Sequence, residues 1–294
     1  MLGQVNRASE VRAAAGGKAA HVAMVLERLG AEPRWIGFAG GASGQELLAG
    51  LRNLLIQTVP VLTKNATRSN LELIEENGTV TEILEPGASV SGEECRAMQS
   101  ACEAVFREGG GGVTAILSGS LPPGVSKEAY ARLIEKAHSF GGKAFLDASG
   151  EPLRLGLEAG PDFIKPNREE GEWLTGKSIQ DVRSAAAALP QLISAGAKSA
   201  AISLGQDGLV WQLQQSDRIY YAHPVRVAAR SAVGSGDATV AGFAYAAEER
   251  LGPEESLKLA VACGAANCQA DLPGQVSASE VQRLRQLVKI EVLS

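Results

Sequence analysis

Short apolar runs of strand length alternate with amphipathic helical patterns along most of this 294-residue chain. Runs such as 35–38 and 144–146 are bounded by Gly, Pro or Ser, and helical patterns such as 129–137 and 182–193 separate such runs. Strands that alternate with helices pair in parallel, and helices cover both faces of their sheet. The sequence therefore predicts an α/β fold with a parallel sheet, in one domain spanning residues 1–294.

Two segments depart from this alternation and read as β-hairpins. Strand-like residues 71–75 and 80–84 flank Asn77-Gly78, a strong signal for a two-residue hairpin turn. This predicts a small β excursion near residues 67–86, of the kind that forms a lid or an oligomer contact. A second hairpin is predicted across 209–225, with its turn at 215–217. Beyond it, helices are predicted at 236–251, 254–270 and 279–287.

Composition narrows the classes of partner. The formal net charge is −5, from 33 acidic and 28 basic residues, which argues against a nucleic-acid partner. The four cysteines form no CxxC pair and stand with no histidine cluster, a pattern that indicates reduced thiols rather than a zinc site. No signal peptide is recognised, and no apolar run approaches the roughly 20 residues that span a membrane. We expect a cytoplasmic protein without membrane or nucleic-acid partners.

The most informative stretch is Gly234-Ser235-Gly236-Asp237, directly before a helical pattern. Glycines allow successive backbone N–H groups to point at one anion, and the positive end of the helix dipole adds to that field. Such a turn suits a phosphoryl group in transfer, and Asp237 beside it could take a proton from a hydroxyl. The alternative is an ordinary loop in which Asp237 caps the helix.

Two further segments carry candidate ligands. Gly16-Gly17-Lys18 also precedes a helix and could bind phosphate, or could be a flexible loop with a solvated lysine. It is not a Walker A loop, because GxxxxGK[ST] is absent. Arg68 could reach a substrate phosphate or remain a solvated surface charge.

Lys165-Pro166-Asn167-Arg168-Glu169-Glu170 follows an apolar strand. Asn167 and Glu170 could organise Mg²⁺ through its waters, or form a capping box at a helix start. The two roles are compatible.

Taken together, these residues resemble the ribokinase-like (PfkB) carbohydrate kinases, and more narrowly the branch of 1-phosphofructokinases and tagatose-6-phosphate kinases. The resemblance runs over nearly the whole chain. Its markers are segments 16–18, 67–70, 81–87, 119–124, 146–150, 165–170, 203–208 and 233–237. It implies a three-layer αβα sandwich with a small β lid.

The resemblance also implies a role for each matching position. Asp237 would be the general base, and Gly234, Ser235 and Gly236 would form the anion hole. Residues near the sugar phosphate would be Gly16, Gly17, Lys18, Arg68 and Ser120. Mg²⁺ and the ATP phosphates would be organised by Lys165, Asn167 and Glu170. The nucleotide side would be lined by Ser203, Gly205, Gly208 and the weaker candidate Asn267. The lid would cover the sugar and support a homodimer.

Three departures from the family pattern stand out. Family members usually open with an apolar strand ending in Asn-Pro-Ala-x-Asp, and this chain starts after that point, so we expect that strand to be missing. His21 stands where an Asn usually contacts sugar hydroxyls. Ala232 stands where Thr is common.

These features lead to one expected reaction and its rivals. We expect a kinase that uses ATP and Mg²⁺ to phosphorylate a ketohexose phosphate, with fructose 1-phosphate giving fructose 1,6-bisphosphate as the first choice. Tagatose 6-phosphate is the close alternative. A relative that binds nucleotide or sugar phosphate without catalysis is the rival from another class, and a ribose or nucleoside kinase is a weaker one.

Overall fold

The computed structural model describes residues 5, 7–75 and 79–293. Within that part of the chain, the strands are β1 Arg34–Ala39, β2 Gln57–Leu62, β3 Asn70–Ile74, β4 Val80–Leu84, β5 Thr114–Ser118, β6 Lys143–Asp147, β7 Phe163–Ile164, β8 Ser199–Ser203, β9 Leu209–Leu213, β10 Ile219–Ala222 and β11 Ile290–Leu293. The α-helices are α1 Lys18–Arg28, α2 Gly41–Asn53, α3 Gly92–Gly109, α4 Ala129–Ser139, α5 Gly150–Glu158, α6 Arg168–Thr175, α7 Val182–Ser194, α8 Ser235–Glu248, α9 Pro253–Gln269 and α10 Ala278–Arg285.

A seven-stranded sheet forms the centre of the molecule, in the order β11-β10-β9-β8-β7-β6-β5. Strands β5 to β8 are parallel, as the alternating pattern predicts. The prediction of a parallel sheet is wrong for the other half, because β9, β10 and β11 all pair antiparallel with their neighbours. The short turn between β9 and β10 permits only an antiparallel pair, since parallel neighbours need a long crossover.

Helices pack on both faces of this sheet and enclose two large apolar clusters. Helix α8 is buried nearly all round and packs against α1, α9, β5 and β6. A helix that is apolar on every side belongs in the centre of a layer rather than at its surface. The ring centroids of Phe163 and Phe243 lie 4.5 Å apart where α8 meets the sheet. In the described part of the chain, no helix combines the length and apolar character needed to cross a membrane.

Both predicted hairpins are present. Strands β3 and β4 pair antiparallel from Asn70 with Leu84 to Ile74 with Val80. The predicted turn at Asn77-Gly78 lies outside the described residues. This two-stranded β lid exposes apolar side chains, with Leu71, Ile74, Ile83 and Leu84 all more than half exposed.

Strands β1 and β2 form a separate parallel pair rather than an extension of the central sheet. Helices α1, α2 and α3 pack on this pair, and Trp35 is buried there. A cleft of about 950 Å³ is lined by residues 34–38 of β1 and residues 114–118 of β5, together with side chains of α1 and α3. One edge of each of these strands is therefore without a neighbouring strand in the described part of the chain.

Because the cleft separates two unpaired strand edges, we expect a strand added between β1 and β5 to stabilise the protein. A six-residue apolar segment joined ahead of residue 1 can lie between β1 and β5, with α1 as the crossover to β1 in the usual right-handed unit. Each buried backbone group that gains a partner is worth about 1–3 kcal/mol. We expect the melting temperature, followed by circular dichroism, to rise by at least ~5 °C.

A Gly/Ser extension of equal length is the matched control, because it has neither β propensity nor apolar side chains. Equal melting temperatures for the two extended proteins would show that the cleft does not accept a strand.

Candidate active site

Polar side chains converge where the parallel strands end. Ser118 and Asp147 are the last residues of β5 and β6, and Lys18 is the first residue of α1. Asp237 stands in the first turn of α8. In α/β sheets the carboxyl ends of the strands meet helix N-termini in a crevice, which is where such folds bind ligands.

The Lys18 ammonium joins two buried carboxylates. Its Nζ donates to Asp147 Oδ2 at 2.9 Å and lies 3.8 Å from Asp237 Oδ1. Ser118 Oγ also donates to Asp147 Oδ2, at 3.1 Å. Asp147 and Asp237 are only 3% and 4% exposed, so both carboxylates depend on these partners for the stability of their charge.

The charges of this cluster reinforce one another. Burial by itself would raise the pKa of Asp147, but Lys165, Lys18 and the hydrogen bonds from Lys18 and Ser118 hold that pKa below its ordinary value. Burial likewise opposes the charge on Lys18, yet Asp147 and Asp237 outweigh it and raise the pKa of this lysine. The lysine and Asp147 are therefore both charged at neutral pH.

Asp237 has a second partner in addition to Lys18. His21 Nδ1 lies 2.9 Å from Asp237 Oδ2, and the side chain of His21 is only 12% exposed. His21 belongs to the first turn of α1, which packs directly on α8. The carboxylate is thus held on one oxygen by the imidazole and approached on the other by the ammonium.

The loop before α8 is the predicted anion site. Gly234 has φ 76°, a left-handed conformation, and a Cβ there would lie 2.9 Å from Pro273. A Cβ at Gly236 would lie 3.5 Å from Lys165 Nζ, so the ammonium group of the buried Lys165 lies next to this loop. The N–H of Ser235 is already bonded to Ala232 O, at 3.1 Å, so the N-terminus of α8 and the Lys165 ammonium are what this loop offers to an anion.

Asn267, a candidate for contact with adenosine, lies beneath the same loop. Its Nδ2 donates to Val233 O at 2.7 Å and to Ser235 Oγ at 3.1 Å. Its Oδ1 accepts from Gly274 N at 2.8 Å. The buried amide thus fixes the loop to α9, and contact with adenosine stays a prediction.

The candidates for the sugar phosphate lie on the other side of Lys18. Arg68 Nη2 donates to Ser120 Oγ at 2.8 Å, and a Cβ on the neighbouring Gly119 would lie 3.7 Å from Lys18 Cβ. Arg68 and Ser120 are both exposed. Gly17 is the N-cap of α1, and a Cβ at Gly16 would lie 3.6 Å from His21 Nε2. These predicted residues therefore form one continuous surface.

The candidates for Mg²⁺ and nucleotide lie beyond Lys165. Asn167 and Glu170 form the capping box of α6, with Asn167 Oδ1 accepting from Glu170 N and Glu170 Oε2 accepting from Asn167 N, both at 2.9 Å. Ser203 ends β8, and its Oγ lies 3.4 Å from Lys165 Nζ. Gly205 and Gly208 bracket the short turn between β8 and β9.

Sequence reasoning missed two members of the central cluster. Asp147 and Ser118 carry no predicted role, although Asp147 is the acceptor for Lys18, 129 residues away in sequence. One signal was present, because Asp147 ends an apolar strand, where α/β folds place ligand residues. His21 was noted only as a departure from the family pattern, and its contact with Asp237 depends on how α1 packs on α8.

The chain is similar to known sugar-phosphate kinases over nearly its whole length. A 1-phosphofructokinase of Vibrio cholerae is 29% identical over 293 residues, covering 99% of this chain and 90% of the relative. A tagatose-6-phosphate kinase of Staphylococcus epidermidis is 32% identical over 295 residues, covering 99% and 93% respectively. The structure of phosphofructokinase-2 from Escherichia coli in complex with substrates and products matches with a TM-score of 0.85 and 28% identity, over 97% of this chain and 93% of that chain.

These relatives confirm both the α/β fold and the kind of enzyme that the site geometry suggests. The family model described as pfkB family carbohydrate kinase matches residues 2–278, which is nearly the whole chain. The protein therefore belongs to the pfkB family of carbohydrate kinases.

Proposed function

We propose that the protein transfers the γ-phosphoryl group of ATP to a hydroxyl of fructose 1-phosphate, giving fructose 1,6-bisphosphate and ADP. The observation that carries this proposal is the placement of the buried Asp237 directly after the Gly234–Gly236 loop, with Lys18 3.8 Å from its carboxylate. Relatives named 1-phosphofructokinase add support at the level of substrate.

In the proposed reaction, the acceptor hydroxyl oxygen forms a bond to the γ-phosphorus while the bond from that phosphorus to the bridging oxygen of ADP breaks. The hydroxyl proton goes to Asp237. Negative charge on the transferred group is stabilised by the N-terminus of α8 at the Gly234–Gly236 loop and by Lys165. Lys18 and Arg68 hold the phosphate that the sugar already carries.

ATP and Mg²⁺ are the proposed co-substrate and metal. In the described residues, no cluster of three or more acidic, His or Cys side chains surrounds a metal position, so Mg²⁺ would be shared with water and the ATP phosphates. Glu170 suits this role, because Oε2 takes part in the capping box while Oε1 accepts no hydrogen bond from the residues that the structure describes. When bound, Mg²⁺ neutralises the charge of the phosphates, and Asn167 holds Glu170 in place.

Tagatose 6-phosphate is the second candidate substrate. A relative of that specificity is 32% identical to this chain, and the surface of Lys18, Arg68 and Ser120 suits any sugar phosphate. A role in binding without catalysis is less favoured, because a buried carboxylate at the anion loop serves proton transfer rather than affinity for phosphate.

The β lid is the proposed oligomer contact. Its apolar side chains are exposed on both strands, and an exposed apolar surface usually marks an interface. We propose a homodimer formed through the lid, in a cytoplasmic enzyme that acts on small-molecule substrates. The single-domain organisation over residues 1–294 belongs to the same proposal.

Replacement of the base provides the first test of this function. Asp237→Asn removes proton acceptance and nearly preserves shape, so we expect turnover to fall by roughly 10²–10⁴-fold with little change in the KM for ATP. The assay couples ADP release from ATP and fructose 1-phosphate to absorbance. Asp162→Asn is the matched control, because Asp162 also pairs with a lysine and a histidine but lies outside the site. A D237N enzyme with more than half of the parental turnover would contradict the assignment.

The phosphate contacts provide the second test. Lys18→Ala and Arg68→Ala each remove a charge-assisted hydrogen bond to the sugar phosphate, so we expect the KM for fructose 1-phosphate to rise at least ~10-fold, and the KM for ATP to change far less. Lys18→Ala also removes the cation beside Asp147 and Asp237, so we expect it to lower kcat and the melting temperature as well, unlike Arg68→Ala. Lys198→Ala is the control for loss of a paired surface lysine. Equal effects on both KM values, or none, would remove these residues from the sugar site.

A further inference from the structure

The proposed reaction assigns no role to His21, although this residue contacts the proposed base Asp237. The imidazole Nδ1 lies 2.9 Å from Asp237 Oδ2, while Asp237 Oδ1 has, among the described residues, only the more distant Lys18 ammonium at 3.8 Å. Both side chains are largely buried, at 12% and 6% exposure, so little water competes for this hydrogen bond. The two oxygens of the proposed base are therefore not equivalent.

We propose that His21 is the positioning residue of the base, an inference that rests on the function proposed for Asp237. His21 donates its Nδ1–H to Asp237 Oδ2, and this bond fixes the plane of the carboxylate. The other oxygen, Oδ1, is then left to take the proton of the acceptor hydroxyl. The family resemblance suggests an Asn at position 21 that contacts the sugar. In this chain His21 occupies that position and holds Asp237, the proposed base, instead.

The surroundings of His21 favour the donor role. Its Nε2 faces the backbone of Gly16, and no hydrogen bond to this nitrogen is present within the described residues. The charged groups that face it are Asp237 from α8 and Glu72 from β3, with Lys18 on its own helix. With a carboxylate oxygen at Nδ1 and no acceptor at Nε2 among the described residues, the proton of a neutral imidazole belongs on Nδ1.

Two substitutions test whether His21 acts as a hydrogen-bond donor or only fills space. In Asn the side-chain nitrogen occupies nearly the position of Nδ1, so His21→Asn keeps the donor, whereas His21→Leu keeps the bulk and loses the donor. We expect H21L to lower kcat by about 10–100-fold, the cost of a misplaced catalytic group, with the KM for ATP within twofold. We expect H21N to recover kcat to within about threefold of the parent, because the hydrogen bond is restored.

A second His–Asp pair provides the matched control. His138 Nε2 lies 2.8 Å from Asp162 Oδ2, beside Ala144 at the opposite end of β6 from Asp147, and the two side chains are 26% and 18% exposed. His138→Leu removes a comparable hydrogen bond and tests the effect of its loss on stability alone. We expect H138L to leave kcat unchanged even where it lowers the melting temperature. Parental kcat in H21L, or equal losses in H21L and H21N, would overturn the proposal.

A spectroscopic measurement decides the pairing without any turnover. The ¹⁵N chemical shifts of the imidazole nitrogens, recorded at pH 8 on the apo protein, report which nitrogen carries the proton. We expect His21 to hold the Nδ1–H form in the parent and to shift towards the Nε2–H form, which neutral imidazole favours in water, in D237A, where the acceptor side chain is removed. An Nε2–H form in the parent would overturn the proposal.

The two proposals fail in different ways. A protein without turnover on any sugar phosphate would refute the proposed function. The tautomer of His21 would still show whether this residue holds Asp237.

Discussion

One ammonium group, that of Lys18, connects three parts of the fold that are distant in sequence. It is carried by α1, donates to the carboxylate at the end of β6, and lies close to the carboxylate in the first turn of α8. Removing it would take a cation away from two buried carboxylates, of which Asp147 would keep Lys165, and this is more costly than losing an exposed ion pair. The relative placement of α1, α8 and the sheet therefore depends on this charge, and so does the shape of the proposed catalytic site.

Much of the site serves the fold as well as the proposed chemistry. Asn167 and Glu170 cap α6, and Asn267 fixes the glycine loop to α9. A phosphate site built on helix N-termini needs helices that begin at a defined residue, and the caps supply that definition. Substitutions at these positions are consequently expected to alter stability and activity together, unlike substitutions at Arg68, which is exposed.

Sequence-based prediction succeeds best for elements whose signal lies within the element itself. The lid strands, the second hairpin and helices α8 to α10 follow from turn residues and periodicity, so their bounds differ from those observed by a few residues at most. The antiparallel pairings outside that second hairpin, of β9 with β8 and of β11 with β10, were not predicted. The pairing of β11 depends on how the end of the chain returns to the sheet. Asp147 and the contact of His21 escaped for the same reason, since each partner is brought close only by packing over more than a hundred residues.

The cleft between β1 and β5 also bears on how the molecule unfolds. In the described residues, the unit of β1, β2 and α2 shares no strand ladder with the central sheet and is held by side-chain packing from α1 and α3. Regions joined in this way open as separate cooperative units, below the free energy of global unfolding. Native-state hydrogen exchange would then show two classes of strand amides. Those of β1 and β2 would exchange through partial unfolding, and those of β6 to β8 would exchange only through global unfolding.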